Sequence, residues 1–447
     1  MRTLLTGATV VLPTGPERLN LLIDDGRIAH VGVPAGARAD ETLDLTGLHV
    51  FPGVIDDQVH FREPGLTHKE DLTTGSRAAA RGGVTTFFDM PNVSPATTTV
   101  ERLHEKLARA AEVSRVNYAF FIGATGSNLA ELQRAERTPG IKVFIGSSTG
   151  DLLVDDQDAL ERLFAETTLP ITAHCEDEAT VRANRAALLA DVAETGRALV
   201  PLDHLRVRDH AAAAVSARRT LDLAIRHRHR FHLLHVTTRD EINLLQSVYQ
   251  DPDIRSLITA EACVPHLWFS ADDYDRLGTR LLQNPSVKHA DDRTALWDGL
   301  RDGTLQIVAT DHAPHTLDEK ARPYPDAPSG MPSIENSLAL MLTKAHEGAC
   351  QLTDIAQWMA DAPARTWGLA AKGRIEDGFD ADLAVVDVNA RRVLRDAEQL
   401  SKSGWTPWDG VEVRAEVVGT IVGGRRVYWR GLFDETVRGR EAVFSRP

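Results

Sequence analysis

Between residues 51 and 312 the chain repeats one pattern: a short, nearly all-apolar run, then a longer stretch with helical spacing. The apolar runs are VIDDQVHF, VTTFFDM, NYAFFIGA, IKVFIG, PITAHC, FHLLHV, SLITAEAC and QIVATDH. Between them lie helical candidates such as KEDLTTGSRAAARG, VERLHEKLARAAEV, DDQDALERLFAET, AAAAVSARRTLDLAIRH, TRDEINLLQSVY and DRTALWDGLRDG. A run without polar alternation belongs to a strand buried on both faces, and such strands need helices to cover them. About eight of these units predict an α/β fold, a (β/α)8 TIM-like barrel.

The two ends read differently. TLLTGATVVL, NLLIDDGRIAHVG and TLDLTGLHV at the start, and DLAVVDV and EVVGTIVGGRRVYW near the end, break at glycine or proline after a few residues. They predict a small composite β domain from residues 1–51 plus 372–447, beside a barrel spanning 52–371. The Pro-rich loop Thr316–Ser333 follows the last barrel strand and is expected over the barrel mouth. The basic run Arg226–Arg230 reads as a solvated helix C-terminus or an anion site.

Composition excludes several function classes. Acidic residues outnumber basic ones 64 to 50, a net charge of −14, which argues against nucleic acid or anionic membranes as partners. The three cysteines form no CxxC pair, so neither a zinc ribbon nor a disulfide scaffold is expected, and a reducing, cytoplasmic setting fits. The N-terminus does not read as a signal peptide, and no run approaches the ~20 apolar residues of a membrane span.

Chemistry gathers at the ends of the predicted strands. His60, Lys142, His174, His235 and Asp311 each follow or interrupt an apolar run on a different strand. Catalytic groups of barrel enzymes come from the C-terminal ends of several strands, so these five converge on one mouth. Imidazole and carboxylate are the donors of a hydrolytic zinc site, which keeps a position open for water and lowers its pKa toward ~7. Asp311, in ATDHAPH, can bind metal and move a proton; its structural alternative is a helix N-cap. Lys142, in GIKVFIG, either snorkels to the rim or has taken up carbon dioxide, becoming a carboxylate able to bridge two metals.

Several ordered motifs resemble the dihydroorotases of the amidohydrolase superfamily. They are FPGVIDDQVHFREPGLTHKEDL, AAARGGVTTFFDMPN, GIKVFIGSSTG, AHCED, HLLHVTT, NPSVK, ATDHAPH and KGRIEDGFDADLAVVD, spread over nearly the whole chain. The resemblance implies the distorted barrel, the composite β domain and a zinc centre of one or two ions. It also implies a carboxylated lysine at Lys142, and contacts to the substrate carboxylate and ring from Arg62, Asn92 and His315, with Asn284 a further ring contact. The implied activity interconverts N-carbamoyl-L-aspartate and L-dihydroorotate, a step of pyrimidine biosynthesis, with Asp311 as general base and then acid. A homo-oligomer and association with aspartate transcarbamoylase come with the same expectation. The alternatives are a hydantoinase- or allantoinase-type cyclic amidohydrolase, against which Arg62 speaks, and an inert scaffold subunit.

One position departs from the family. Where most members have an HxH pair on the first strand, this chain has Gln58 and His60. A glutamine amide oxygen is a weaker zinc ligand than imidazole, so the more buried metal is expected to be held less tightly or to be absent. Asp57 is expected to face the other side of the strand.

Overall fold

The computed structural model describes residues 1–146 and 152–445. The last residues of the GIKVFIGSSTG motif therefore lie outside the described part. A three-stranded and a six-stranded parallel sheet share one interrupted strand, Asn117–Phe120 continued by Ile122–Gly123. Counting that strand once, the two sheets together make eight barrel strands. In order the others are Val54–Val59, Val84–Asp89, Ile141–Ile145, Ile171–Cys175, Phe231–Leu233, Ile258–Cys263 and Ile307–Ala309. The last strand returns to the first, where the His60 amide donates to the His312 carbonyl at 2.8 Å and Val59 bridges His312. Nearly every strand residue is buried, as the unbroken apolar runs require.

The six helical candidates fold as helices, several with side-chain caps at their starts. Asp71 and Thr74 form a reciprocal capping box before Leu72–Arg81, and Thr238 and Glu241 do the same before Arg239–Val248. Each box satisfies backbone N–H groups that the first turn leaves unpaired. The long helix Glu178–Thr195 carried no comparable sequence signal. Its buried residues are Val181 and Leu188, so it has no continuous apolar stripe.

The chain ends meet in a nine-stranded sheet. The strand His49–Pro52 joins its two halves, running parallel to Arg2–Leu12 and antiparallel to Leu383–Asp387. Leu5, Val10, Leu21, Val50, Leu383, Val385 and Ile421 pack into a core of their own on this sheet. The segment 395–408 leaves the sheet and packs back on the barrel. Asp396 pairs with Arg280 at 2.7 Å, and the Trp405 indole donates to the His315 carbonyl at 2.7 Å. The basic run is neither wholly solvated nor an anion site. Arg226 and His227 pair with Glu161, while His229 is buried and bonded to Thr167. The three cysteines are free and buried. Among the described residues no helix is long and apolar enough to cross a membrane.

Candidate active site

The nine residues singled out from the sequence, His60, Arg62, Asn92, Lys142, His174, His235, Asn284, Asp311 and His315, all line one cavity of about 380 Å³. It opens at the C-terminal ends of the barrel strands, and Pro328, Ser329 and Gly330 of the Pro-rich loop form part of its wall. Parallel strands with a common direction bring these ends together, although the residues are up to 255 positions apart in the chain.

Two details of placement differ from the sequence reading. Lys142 is the second residue of its strand, and Phe144, not Lys142, lies in register with His174. The lysine therefore sits deeper than the strand end. Arg62 is not on the first strand, which stops at Val59; it occupies a turn in left-handed backbone (φ 63°). His235 and Asp311 also have positive φ, 34° and 46°. Such backbone costs ~1–3 kcal/mol per residue and persists only where the surroundings enforce it, a pattern that clusters at functional sites.

The polar groups form two facing pairs. On one side, His174 Nε2 donates to Glu176 at 2.9 Å, which leaves the Nδ1 lone pair 3.0 Å from His235 Nε2. On the other, His60 Nδ1 donates to Asn92 Oδ1 at 2.6 Å, leaving Nε2 3.1 Å from Asp311 Oδ1. In each pair acceptor faces acceptor unless a proton or a cation lies between. Burial holds His174 and His235 below the ordinary imidazole range, the neutral state in which imidazole binds metal. Burial works against ionisation of Asp311, but the neighbouring His60 and His235 imidazoles and the hydrogen bond from Gln283 hold its carboxyl well below the usual range. Gln283 Nε2 donates to Asp311 Oδ2 at 3.0 Å and Gln58 Nε2 to Oδ1 at 3.2 Å. Thr316, not Asp311, caps the helix that follows, so the N-cap alternative for Asp311 falls away.

Lys142 is 1% exposed, and among the described residues its ammonium has no carboxylate within 4.0 Å. Burial lowers its pKa to about 8, opposed by the charges of Asp311 and Glu261. It does not snorkel to the rim. Arg62 is buried as well, with Nε donating to the Pro314 carbonyl at 3.2 Å and no carboxylate within 4.0 Å among the described residues. Burial lowers its pKa to about 10, so it stays charged at neutral pH. Beside it, Lys69 lies 3.0 Å from His315 Nδ1, and His315 Nε2 sits between the Arg62 guanidinium at 3.3 Å and the Ser329 carbonyl at 3.0 Å.

The sequence reading missed several partners. Glu176 lies inside the quoted AHCED motif and is gripped by Arg208. His204 donates to the Gln283 carbonyl at 2.9 Å and to Asn284 Oδ1 at 3.0 Å, which turns the Asn284 NH₂ away from it. Asp57 does not face away from the barrel interior. The pairing of the first two barrel strands slips between Asp56 and Val59, and this irregularity breaks the alternation of the pleat. Gln58 meets Asp311, while Asp57 lies against Trp367 and His232. Asp57, His232 and Glu261 form a buried group with ligand atoms within 4.8 Å of one another, separate from the five predicted ligands.

Comparison with known proteins identifies the family. The chain is 34% identical over 412 residues to a dihydroorotase of Methanothermobacter thermautotrophicus, covering 92% of this chain and 90% of that protein. It is 36% identical over 406 residues to a dihydroorotase of Halobacterium salinarum, covering 90% and 91%. Among solved structures it is similar to an L-hydantoinase (dihydropyrimidinase) from Arthrobacter aurescens, with TM-score 0.91, 25% identity and 97% of each chain covered. Residues 49–427 match the amidohydrolase family, a span holding every barrel strand and every cavity residue named above. The chain belongs to the amidohydrolase family.

Proposed function

We propose that this chain interconverts N-carbamoyl-L-aspartate and L-dihydroorotate. One observation carries the choice of substrate: a buried, charged Arg62 without a carboxylate partner among the described residues, in the same cavity as the facing imidazole and carboxylate pairs. A desolvated guanidinium is costly to leave unpaired and suits a planar carboxylate. A cyclic amide bearing a carboxylate meets both needs; a plain hydantoin or dihydrouracil ring leaves Arg62 unanswered.

The donor set fits a divalent metal. Buried acceptors face each other across about 3 Å in two pairs. His174 and His235 would hold one ion, and His60 and Asp311 a second, weaker one. Lys142 would add a carboxylate donor as a carbamate, formed when its neutral amine adds to carbon dioxide and releases a proton. When bound, zinc supplies Lewis-acid polarisation of the ring carbonyl and a water that ionises near neutral pH.

The chain's own groups do the rest. Asp311 takes the proton of the attacking water and passes it to the ring nitrogen as the amide bond breaks; ring closure runs the same steps backward. Arg62 forks onto the substrate carboxylate, aided by the Asn92 amide and His315. Asn284, its oxygen tied to His204, offers its NH₂ to a ring carbonyl. The test is turnover of dihydroorotate, dihydrouracil and allantoin, with metal content measured on the same sample. Dihydroorotate should be the preferred substrate, and His235→Ala should lose both metal and activity. Faster opening of dihydrouracil or allantoin would move the assignment to a hydantoinase-type enzyme.

A further inference from the structure

We propose that the barrel interior holds a second divalent-cation site beneath the substrate cavity, formed by Asp57, His232 and Glu261. The three come from different strands, the first, sixth and seventh of the barrel. His232 Nε2 lies 3.0 Å from Glu261 Oε2 and 3.9 Å from Asp57 Oδ2. One ligand atom from each of the three lies within 4.8 Å of the others, a spread that an ion bound at ~2.0–2.2 Å from each donor closes with small side-chain adjustments.

Two independent observations point to a missing positive charge. First, two buried carboxylates adjoin one histidine, and among the described residues no lysine or arginine nitrogen lies within 4.0 Å of either. Uncompensated burial of one carboxylate already costs several kcal/mol. Second, Asp57 Oδ1 is buried without a hydrogen-bond partner. His232 Nδ1 is fixed by the Thr259 hydroxyl at 2.8 Å, which leaves Nε2 facing the two carboxylates.

The surroundings orient the donors. The Trp367 indole donates to Asp57 Oδ2 at 2.6 Å, and the His235 amide to Glu261 Oε1 at 3.2 Å. That leaves Asp57 Oδ1 and Glu261 Oε2 for a ligand. A cavity of about 250 Å³, separate from the substrate cavity, is lined by His232, Thr259, Gln306 and Trp367. Two carboxylates and an imidazole suit a first-row divalent ion such as zinc or manganese. Its role is structural: it neutralises the floor and ties three strands together.

The test is independent of the catalytic reading, because it measures metal and not turnover. The triple variant His60→Ala/His174→Ala/His235→Ala removes the imidazoles of the substrate cavity. After equilibration with zinc or manganese and dialysis, it should keep about one ion per chain by elemental analysis. Adding His232→Ala or the near-isosteric Asp57→Asn should remove that ion. Anomalous diffraction from crystals of the unsubstituted protein should place a peak between Asp57, His232 and Glu261. The proposal is overturned if the folded triple variant retains no ion, or if the native crystals show no peak there. The carboxyl pair would then be neutralised by shared protons.

Discussion

Replacing Arg62 by methionine tests the substrate assignment most directly. Both residues are unbranched at Cβ, and both must adopt the same left-handed backbone (φ 63°), so the substitution adds no new backbone strain. What is lost is a guanidinium that is buried, charged, and tied to the protein through the Pro314 carbonyl at 3.2 Å. A hydrogen bond to a charged ligand contributes ~1.5–3 kcal/mol. At ~1.4 kcal/mol per factor of ten, kcat/KM for dihydroorotate should fall roughly ten- to 150-fold. The substrate carboxylate is present in ground and transition states alike, so most of the loss should fall on KM. Dihydrouracil presents the same ring without the carboxylate; its slow hydrolysis should change little. The assay is steady-state kinetics on both substrates with native and variant enzyme. Equal losses on both would mean that Arg62 shapes the site without reading the carboxylate. An unchanged value for dihydroorotate would refute the assignment of Arg62.

Three further outcomes follow from the geometry. Gln58 turns its NH₂ toward Asp311, so the native protein should hold nearer one zinc than two per chain; Gln58→His should raise the stoichiometry, and two tightly held ions in native protein after dialysis would refute this. Burial first, then the Arg208 charge, lowers the His204 pKa to about 3, so the folded chain keeps it neutral while the unfolded chain protonates it below ~6.5. Stability from this residue is therefore complete above that pH and falls as pH drops: about 1 kcal/mol should be lost between pH 7 and 5.5, and His204→Gln should flatten that part of the denaturation profile. Trp405→Phe keeps the ring but removes the bond to the buried His315 carbonyl; it should cost about 1–3 kcal/mol in thermal or denaturant unfolding and weaken dihydroorotate binding.

The order of strands and helices, and the convergence of nine residues on one mouth, were legible because barrel strands are buried on both faces. A continuous apolar run identifies each strand, and the residue where the run turns polar marks its end. His60, His174, His235 and Asp311 could be read in this way. Arg62 was legible as a residue but not as a conformation, since nothing local announces that the strand stops at Val59. Helix Glu178–Thr195 went unread because it buries only Val181 and Leu188.

What the tertiary structure decided is the company each group keeps. Alternation along a strand predicts opposite faces for Asp57 and Gln58, but the irregular pairing between Asp56 and Val59 overrides it, and Asp57 meets His232 of the sixth strand. The proton positions on His174 and His60 follow from Glu176 and Asn92, which are two and 32 residues away. Trp405 supports His315 across 90 residues. Periodicity is a property of neighbours along the chain, so sequence alone determined which residues reach the mouth. Hydrogen-bond partners and desolvation depend on neighbours in space, so only the closed barrel decided which of those residues are charged, oriented or left without a partner.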